Sequence, residues 1–357
     1  MNAAIVRRRA RLAVGFAPQA ASAAGASSLD ITEIRHYPLR EPVSGNQYSL
    51  LRVKTRSGLT GWGECRAEFA GDVKALQAAW LGRPAHTYAA ITPSTPFGGA
   101  LDMALLDLVG KACNAPVYRV LGGPTRNKVR AYSSQQDSDF AISVIAVPLP
   151  ASRNQGKAYQ NQIRALVEGV PASRDFVLAG NGLLTPGDAA SVAASVEAKH
   201  PLWFDEPCAH SNLEAVRKIS GETVVPLGFG RDIRDAGVFQ ALLREGLIDI
   251  VRPDLAFFGI SGARRIAALA EPYYVAVAPH HHGGPVATAA AIHLAASIPN
   301  FFVQHLPVPA AEEDRAMRRA LVSPHMETGR NGFLELPKGP GLGITIDESA
   351  LEKYHAA

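Results

Sequence analysis

Residues 225–235, VPLGFGRDIRD, run as a buried strand and then set Arg231 where the apolar stretch ends. A guanidinium at such a point needs a partner. What it faces separates three chemistries: a metal centre, a metal-free enzyme site, or a site that only binds. The same kind of position recurs along the chain. Extended apolar runs end in Ala179 and Asn181, in Asp205 and Glu206, in Arg231 and Asp232, in Asp254, in His280, His281 and His282, and in Gln304 and His305. Polar groups therefore gather at one end of the strands, which marks a site when those strands stand side by side in a barrel.

The elements that would position these residues follow from hydrophobic patterning. Between Leu29 and Cys65, DITEIRHYPL, QYSLLRVKTRSG and LTGWGECRA alternate apolar and polar residues between turns, which predicts an antiparallel meander. Residues 70–82 and 97–114 carry helical spacing, so the first hundred residues read as an α+β unit. After LGG at 121–123, eight short apolar runs alternate with amphipathic stretches, with helices expected over 154–169, 187–199, 211–219, 236–245, 261–270 and 285–297. Strands joined by helices run parallel, so the expected architecture is α/β: a modified TIM (β/α) barrel with an N-terminal α+β capping domain. Too few residues separate the first two barrel strands to hold a helix. The expected boundaries are a tail over 1–28, a capping domain over 29–125, a barrel over 126–335, and a C-terminal segment over 336–357 that returns to the capping domain.

With 357 residues, 47% hydrophobic and 19% charged, the chain has the composition of an ordinary globular protein. A net charge of +4 is mild and its Lys and Arg are scattered, which excludes a phosphate-tracking stripe and hence nucleic acid as a partner. Cys65, Cys113 and Cys208 are odd in number and widely spaced, which argues against a disulfide framework or a structural zinc site. Residues 7–28 have the basic start and small-residue end of an export signal, but Pro18 and Gln19 interrupt its apolar part, so the expectation is a cytoplasmic protein, with export the alternative. No window suits a membrane span. Symmetric homo-oligomer formation is the default.

The ordered segments LAGNG, WFDEP, PLGFGR, DIVRPDLAFFGISGARRIAALAE, VAPHHHGGP, AAIHLAASIPNFFVQ and PGLGITID resemble the mandelate racemase and muconate lactonizing group of the enolase superfamily. The resemblance spans roughly residues 29–350, including GWGEC and ALDMALLDLVGKACNAPVYRVLGG in the capping domain. It implies removal of the proton next to a substrate carboxylate, with Mg2+ held by carboxylates at the ends of the third, fourth and fifth barrel strands. Carried over by position, the first ligand falls on Ala179, leaving only Asn181 of its motif; the second falls on Asp205, and the third on Arg231. A hard dication needs anionic oxygens, and at ~4 Å and an effective dielectric near 20 one guanidinium opposes each unit of metal charge by about 4 kcal/mol. The expectation is no metal, with a rearranged Mg2+ site using Asp205, Asp232 and Asp254 as the alternative.

On the opposite side of the rim, the second barrel strand, AISVIAVPLPAS, lacks the lysines that the group often places there. The resemblance assigns the superfamily's acid and imidazole dyad to Asp254 and His280, in which the aspartate would accept from the ring and fix its tautomer. The acid of the eighth strand appears as Gln304, with His305 beside it. The implied function is that of a racemase or dehydratase acting on a small hydroxy or sugar acid. His280, backed by Asp254, would be its general base or acid; Arg231 would hold the carboxylate, in a substrate site with Asn181, Gln304 and His305. The other readings are a catalytically silent homologue that binds a carboxylate or serves as a subunit, and a Mg2+ enzyme with a rearranged site. Neighbouring residues point apart, so His280 to His282 do not converge on one ion. Glu64 and Glu68, in the loop expected to cover the site, read as solvated acids.

Overall fold

A computed structural model describes residues 27–133, 140–152 and 156–356. The expected N-terminal tail lies almost wholly outside the described residues, as does much of the short connection between the first two barrel strands. Strands β1 (Ile31–Arg40), β2 (Gln47–Thr55) and β3 (Thr60–Arg66) form the antiparallel meander, with Leu39 opposite Tyr48 and Leu51 opposite Gly63. Helices α1 (Val73–Trp80) and α2 (Gly98–Ala112) complete the capping domain, and the short α3 (Val117–Val120) leads out of it. Helix α2 lies against β3 at a distance only glycine permits. A Cβ on Gly61 would come within 2.2 Å of the Ala104 carbonyl oxygen, and one on Gly63 within 1.8 Å of that of Ala100.

Eight strands then follow in the order that the alternation predicts: β4 (Lys128–Ser133), β5 (Ile142–Ala146), β6 (Asp175–Ala179), β7 (Phe204–Asp205), β8 (Leu227–Phe229), β9 (Ile250–Val251), β10 (Ala276–Val277) and β11 (Gln304–Leu306). Strands β5 to β10 form one parallel sheet, β11 pairs parallel with β4, and Val277 bridges Phe301 just before β11. This is a modified (β/α) barrel beneath an α+β capping domain. Its interior is filled by Tyr132, Ile142, Val177, Trp203, Ile250, Ala278 and Val303, which lie on or next to every barrel strand but β8.

Helices α4 (Lys157–Glu168), α5 (Pro186–Val196), α6 (Leu213–Glu222), α7 (Ala236–Arg244), α8 (Leu255–Ala270) and α9 (Pro285–Ser297) wrap the outside. One of these, and one helix that follows the barrel strands, differ from the periodicity. Helix α8 begins at Leu255 rather than near 261, because Asp254 caps it by accepting from the Ala256 amide at 2.9 Å. It breaks at Gly259 (φ 63), where a Cβ would meet the Asp102 side chain. Helix α10 (Glu312–Leu321) was not expected, since its buried apolar face consists of Met317 and Leu321 alone within a charged run. The chain ends with β12 (Val322–Ser323), β13 (Phe333–Glu335), β14 (Thr345–Ile346) and α11 (Glu348–Lys353). Glu348 pairs with Arg52 of β2, and His355 bridges Leu39 of β1, so this segment lies on the capping domain.

Candidate active site

Side chains alternate across a strand, and at the C-terminal ends of the barrel strands this parity decides which residues enter the mouth. On β6, Val177 and Ala179 face inward; Asp205 on β7 and Trp203 just before it do the same. Tyr132 on β4 stands opposite His305 on β11, and both face the same space. The mouth is a cavity of about 330 Å³ whose polar lining is Tyr132, Asn181, Asp205, Arg231, Arg252, His280, His282 and His305. Asn181 and Glu206 hold left-handed backbone (φ 55 and φ 42), a conformation that non-glycine residues keep mainly where surrounding structure enforces it.

Asp205 is the centre of charge. Its Oδ2 accepts from Arg252 Nη1 in a close ion pair and lies 3.6 Å from Arg231 Nη1, while Oδ1 accepts from Trp203 Nε1 at 3.3 Å. Arg252 is 1% exposed and donates through Nη2 to the Tyr132 hydroxyl at 2.9 Å. Burial works against its charge, but Asp205 and Tyr132 more than offset this, so the guanidinium stays protonated. Arg231 is held more loosely. Nη2 donates to Asn181 Oδ1 at 3.2 Å, and its buried Nε has no partner. Glu206 does not enter the cavity chemistry: its Oε1 accepts from the amides of Gly230 and Arg231 at 2.7 and 2.8 Å and so shapes the turn that presents Arg231. Burial, with Asp205 next to it, pushes its carboxyl up to about 7.

Across the mouth, Asp254 and His280 are neighbours through their backbones. The His280 amide donates to Pro253 O at 3.1 Å and the Leu255 amide to His280 O at 2.9 Å. Their side chains make no hydrogen bond to each other. Asp254 Oδ1 caps α8, and Oδ2 lies 3.3 Å from Arg234 Nη2. Both Asp254 Oδ2 and His280 Nδ1 are buried without a hydrogen bond. Burial raises Asp254 to about 6, opposed by Arg234. Burial also holds His280 well below its ordinary value, helped by His282 and Arg252, so the ring is neutral near pH 7. His280 stacks on His305 with ring centroids 5.2 Å apart and meets His282 edge-on at 4.3 Å.

Of the residues singled out from sequence, Asn181, Asp205, Arg231, His280 and His305 converge on the cavity, and Asp254 adjoins it. Gln304 does not reach it. Lying one residue before His305, it takes the opposite parity and donates to the carbonyls of Pro279 and His305 at 3.2 and 2.8 Å. Asp232 is also outside: its side chain is 61% exposed and 3.7 Å from Arg234, so it offers no oxygen to the mouth. Among the described residues no group of three or more His, Cys, Asp or Glu could hold a metal ion. Glu64 is not a solvated loop acid. It is fully buried on β3 and accepts from the amides of Gly284, Val286 and Ala287 at the start of α9, while Glu68 is exposed and pairs with Arg66 at 3.0 Å. Sequence reasoning missed Arg252, Tyr132 and Arg234. Arg252 carried the same signal as Arg231, an arginine closing a buried strand in DIVRPD; Arg234 carried none.

Residues 34–122 match the mandelate racemase / muconate lactonizing enzyme N-terminal domain, and residues 148–350 match the enolase C-terminal domain-like family. The chain is 28% identical over 357 residues to a D-gluconate dehydratase of Thermoproteus tenax, covering 87% of this chain and 70% of that protein. It is 28% identical over 343 residues to a D-galactarolactone cycloisomerase of Agrobacterium fabrum, covering 85% and 90%. An enolase from Agrobacterium radiobacter, solved with Na and L-malate bound, superposes with a TM-score of 0.80 at 27% identity over 92% of this chain and 95% of that one.

Proposed function

Since the chain belongs to the mandelate racemase and muconate lactonizing enzyme family of the enolase superfamily, we propose that it moves a proton next to the carboxylate of a small hydroxy or sugar acid, with arginine in place of Mg2+. The relatives named as sugar-acid dehydratase and cycloisomerase support this substrate class. Mg2+ is usual in the superfamily, but the donor set here does not suit it. Of the family's three ligand positions, only Asp205 supplies a carboxylate, and its Oδ2 is already shared by Arg252 and Arg231. A dication placed there would meet two guanidinium charges and a single acid.

The observation that carries the reading is the loose seating of Arg231 in a cavity that also holds a neutral imidazole. Arg252 satisfies Asp205, so Arg231 is left with a donor lacking a partner and a planar fork suited to a carboxylate. His280, uncharged and lining the same cavity, is the group to accept the α-proton and return it. Guanidinium groups stabilise an enediolate less than a dication does, so turnover is expected to be slow.

The test is α-proton exchange in D2O, followed by NMR across a panel of hexonic, pentonic and aldaric acids, with the parent protein and His280→Asn. Exchange by the parent and none by the variant supports the reading; equal rates contradict it. A second reading, a homologue that binds a carboxylate without turnover, is favoured by the unmade bond between Asp254 and His280. Saturable binding of an acid without exchange would select it.

A further inference from the structure

The dyad needs Asp254 Oδ2 to accept from His280 Nδ1, and neither atom has a hydrogen bond although the two residues lie side by side. The group that reaches Oδ2 instead is Arg234 Nη2, at 3.3 Å. Arg234 is anchored on two further sides. Its Nη1 donates to the Arg231 carbonyl at 2.7 Å, which ties it to the turn carrying the proposed carboxylate holder. Its guanidinium also lies 5.0 Å from the ring of Phe69 and 5.2 Å from that of Phe257, inside the range of cation–π attraction. The two rings meet edge-on at 5.4 Å. Phe69 belongs to the capping domain, in the turn just after β3, and its carbonyl accepts from the Phe97 amide at the start of α2 at 2.8 Å.

We propose that Arg234 is a positioning residue that competes with His280 for Asp254, and that the capping-domain turn seats it through Phe69. The proposal rests on the reading of His280 as the proton-transfer group. With the guanidinium seated between the two rings, Asp254 is neutralised by an ion pair and the imidazole lacks the acceptor that would fix its tautomer. Any shift of the turn that carries Phe69 would then alter the partner of Asp254, which couples the position of the capping-domain turn to the base.

The surrounding charges are defined. Asp254 is faced by Arg234 and Asp232 from the turn after β8 and by Arg66 from the capping domain. His280 is faced by His282 on its own loop, by Arg252 after β9, by His305 on β11 and by Arg231 after β8. Removing Arg234 takes the ion pair from Asp254 and one hydrogen bond from the Arg231 carbonyl, and removes none of the four side chains that face His280.

The experiment is NMR of protein labelled with 15N-histidine, the His280 signals being identified by their loss in His280→Gln. In Arg234→Gln the His280 Nδ1 proton is expected to become hydrogen-bonded and move downfield, and the ring titration to rise by about one unit. Phe69→Ala is expected to shift the same signals in the same direction by less, and Arg234→Lys to fall between parent and Arg234→Gln. Unchanged His280 signals in folded Arg234→Gln, or in Arg234→Lys and Phe69→Ala together should Arg234→Gln not fold, overturn the proposal. These readouts need no turnover. Absence of α-proton exchange by the parent would remove the proposed function and leave this result standing.

Discussion

On the β7–β8 side of the barrel mouth, one carboxylate is enclosed by two guanidinium groups; on the β9–β10 side, an acid and an imidazole stand next to each other with the bond between them unmade. The first arrangement is the more closed: Arg252, Tyr132, Trp203 and Asp205 bond to one another in a buried network that leaves Arg252 Nε without a partner. The second is more open: His280 Nδ1 has no hydrogen bond, and Asp254 Oδ2 has only the Arg234 guanidinium 3.3 Å away. By position, the resemblance puts the family's ligand residues on the first side, at Asp205 and Arg231, and its acid and imidazole dyad on the second, at Asp254 and His280. Each arrangement is mounted on its own strands, and the turn bearing Arg231 and Arg234 joins them, since Arg231 faces Asp205 and Arg234 faces Asp254.

The largest effect should come from the open half. His280→Asn is expected to lower α-proton exchange by ~10²–10⁴-fold, the usual contribution of a placed acid or base; a smaller loss in the exchange assay would assign proton transfer elsewhere. In the closed half, Asp205→Ala strands the buried Arg252 and is expected to cost about 3–5 kcal/mol, read as a lower urea midpoint. A negligible change would mean the two arginines are solvated and the network is not closed. Arg231→Gln should be gentler on the fold, because Arg231 is loosely held, but weaken acid binding by ~10 to 100-fold, as for loss of a charge-assisted hydrogen bond. Equal affinity in calorimetry would transfer the carboxylate to another group.

The smallest effect concerns a control remote from both halves. His293 is fully buried on α9, where its Nδ1 accepts from the Tyr118 amide at 3.1 Å, and burial lowers it to about 4. Between pH 6.5 and 4 the unfolded chain takes up a proton there and the folded chain does not, so this residue's share of stability is lost as pH falls through that window. The stability gap between the parent and His293→Gln should therefore narrow on acidification by at most about 1.4 kcal/mol per pH unit. A gap independent of pH would show that the ring takes up its proton as readily in the folded chain as in the unfolded one.

Much of the fold was legible because barrel strands and helices repeat a simple rhythm, and the turn into each strand's C-terminal end names the rim residues. Ala179, Asp205, Arg231, Asp254 and His280 could all be placed this way. Side-chain parity was harder, as Gln304 and His305 show, since a one-residue difference turns the amide away from the mouth and the imidazole into it. Contacts between segments far apart in sequence were not legible. Glu64 reads as a loop acid until α9 is seen to begin above it, and nothing in the sequence marks Arg234 until Phe69 and Asp254 come together around it.

The most direct test of arginine in place of metal is calorimetric titration of the purified, EDTA-treated protein with Mg2+, followed by titration with a sugar acid in the continued absence of metal. The expected result is no saturable heat with Mg2+ and a saturable isotherm with the acid. Micromolar Mg2+ binding, with acid binding appearing only once metal is present, would contradict it.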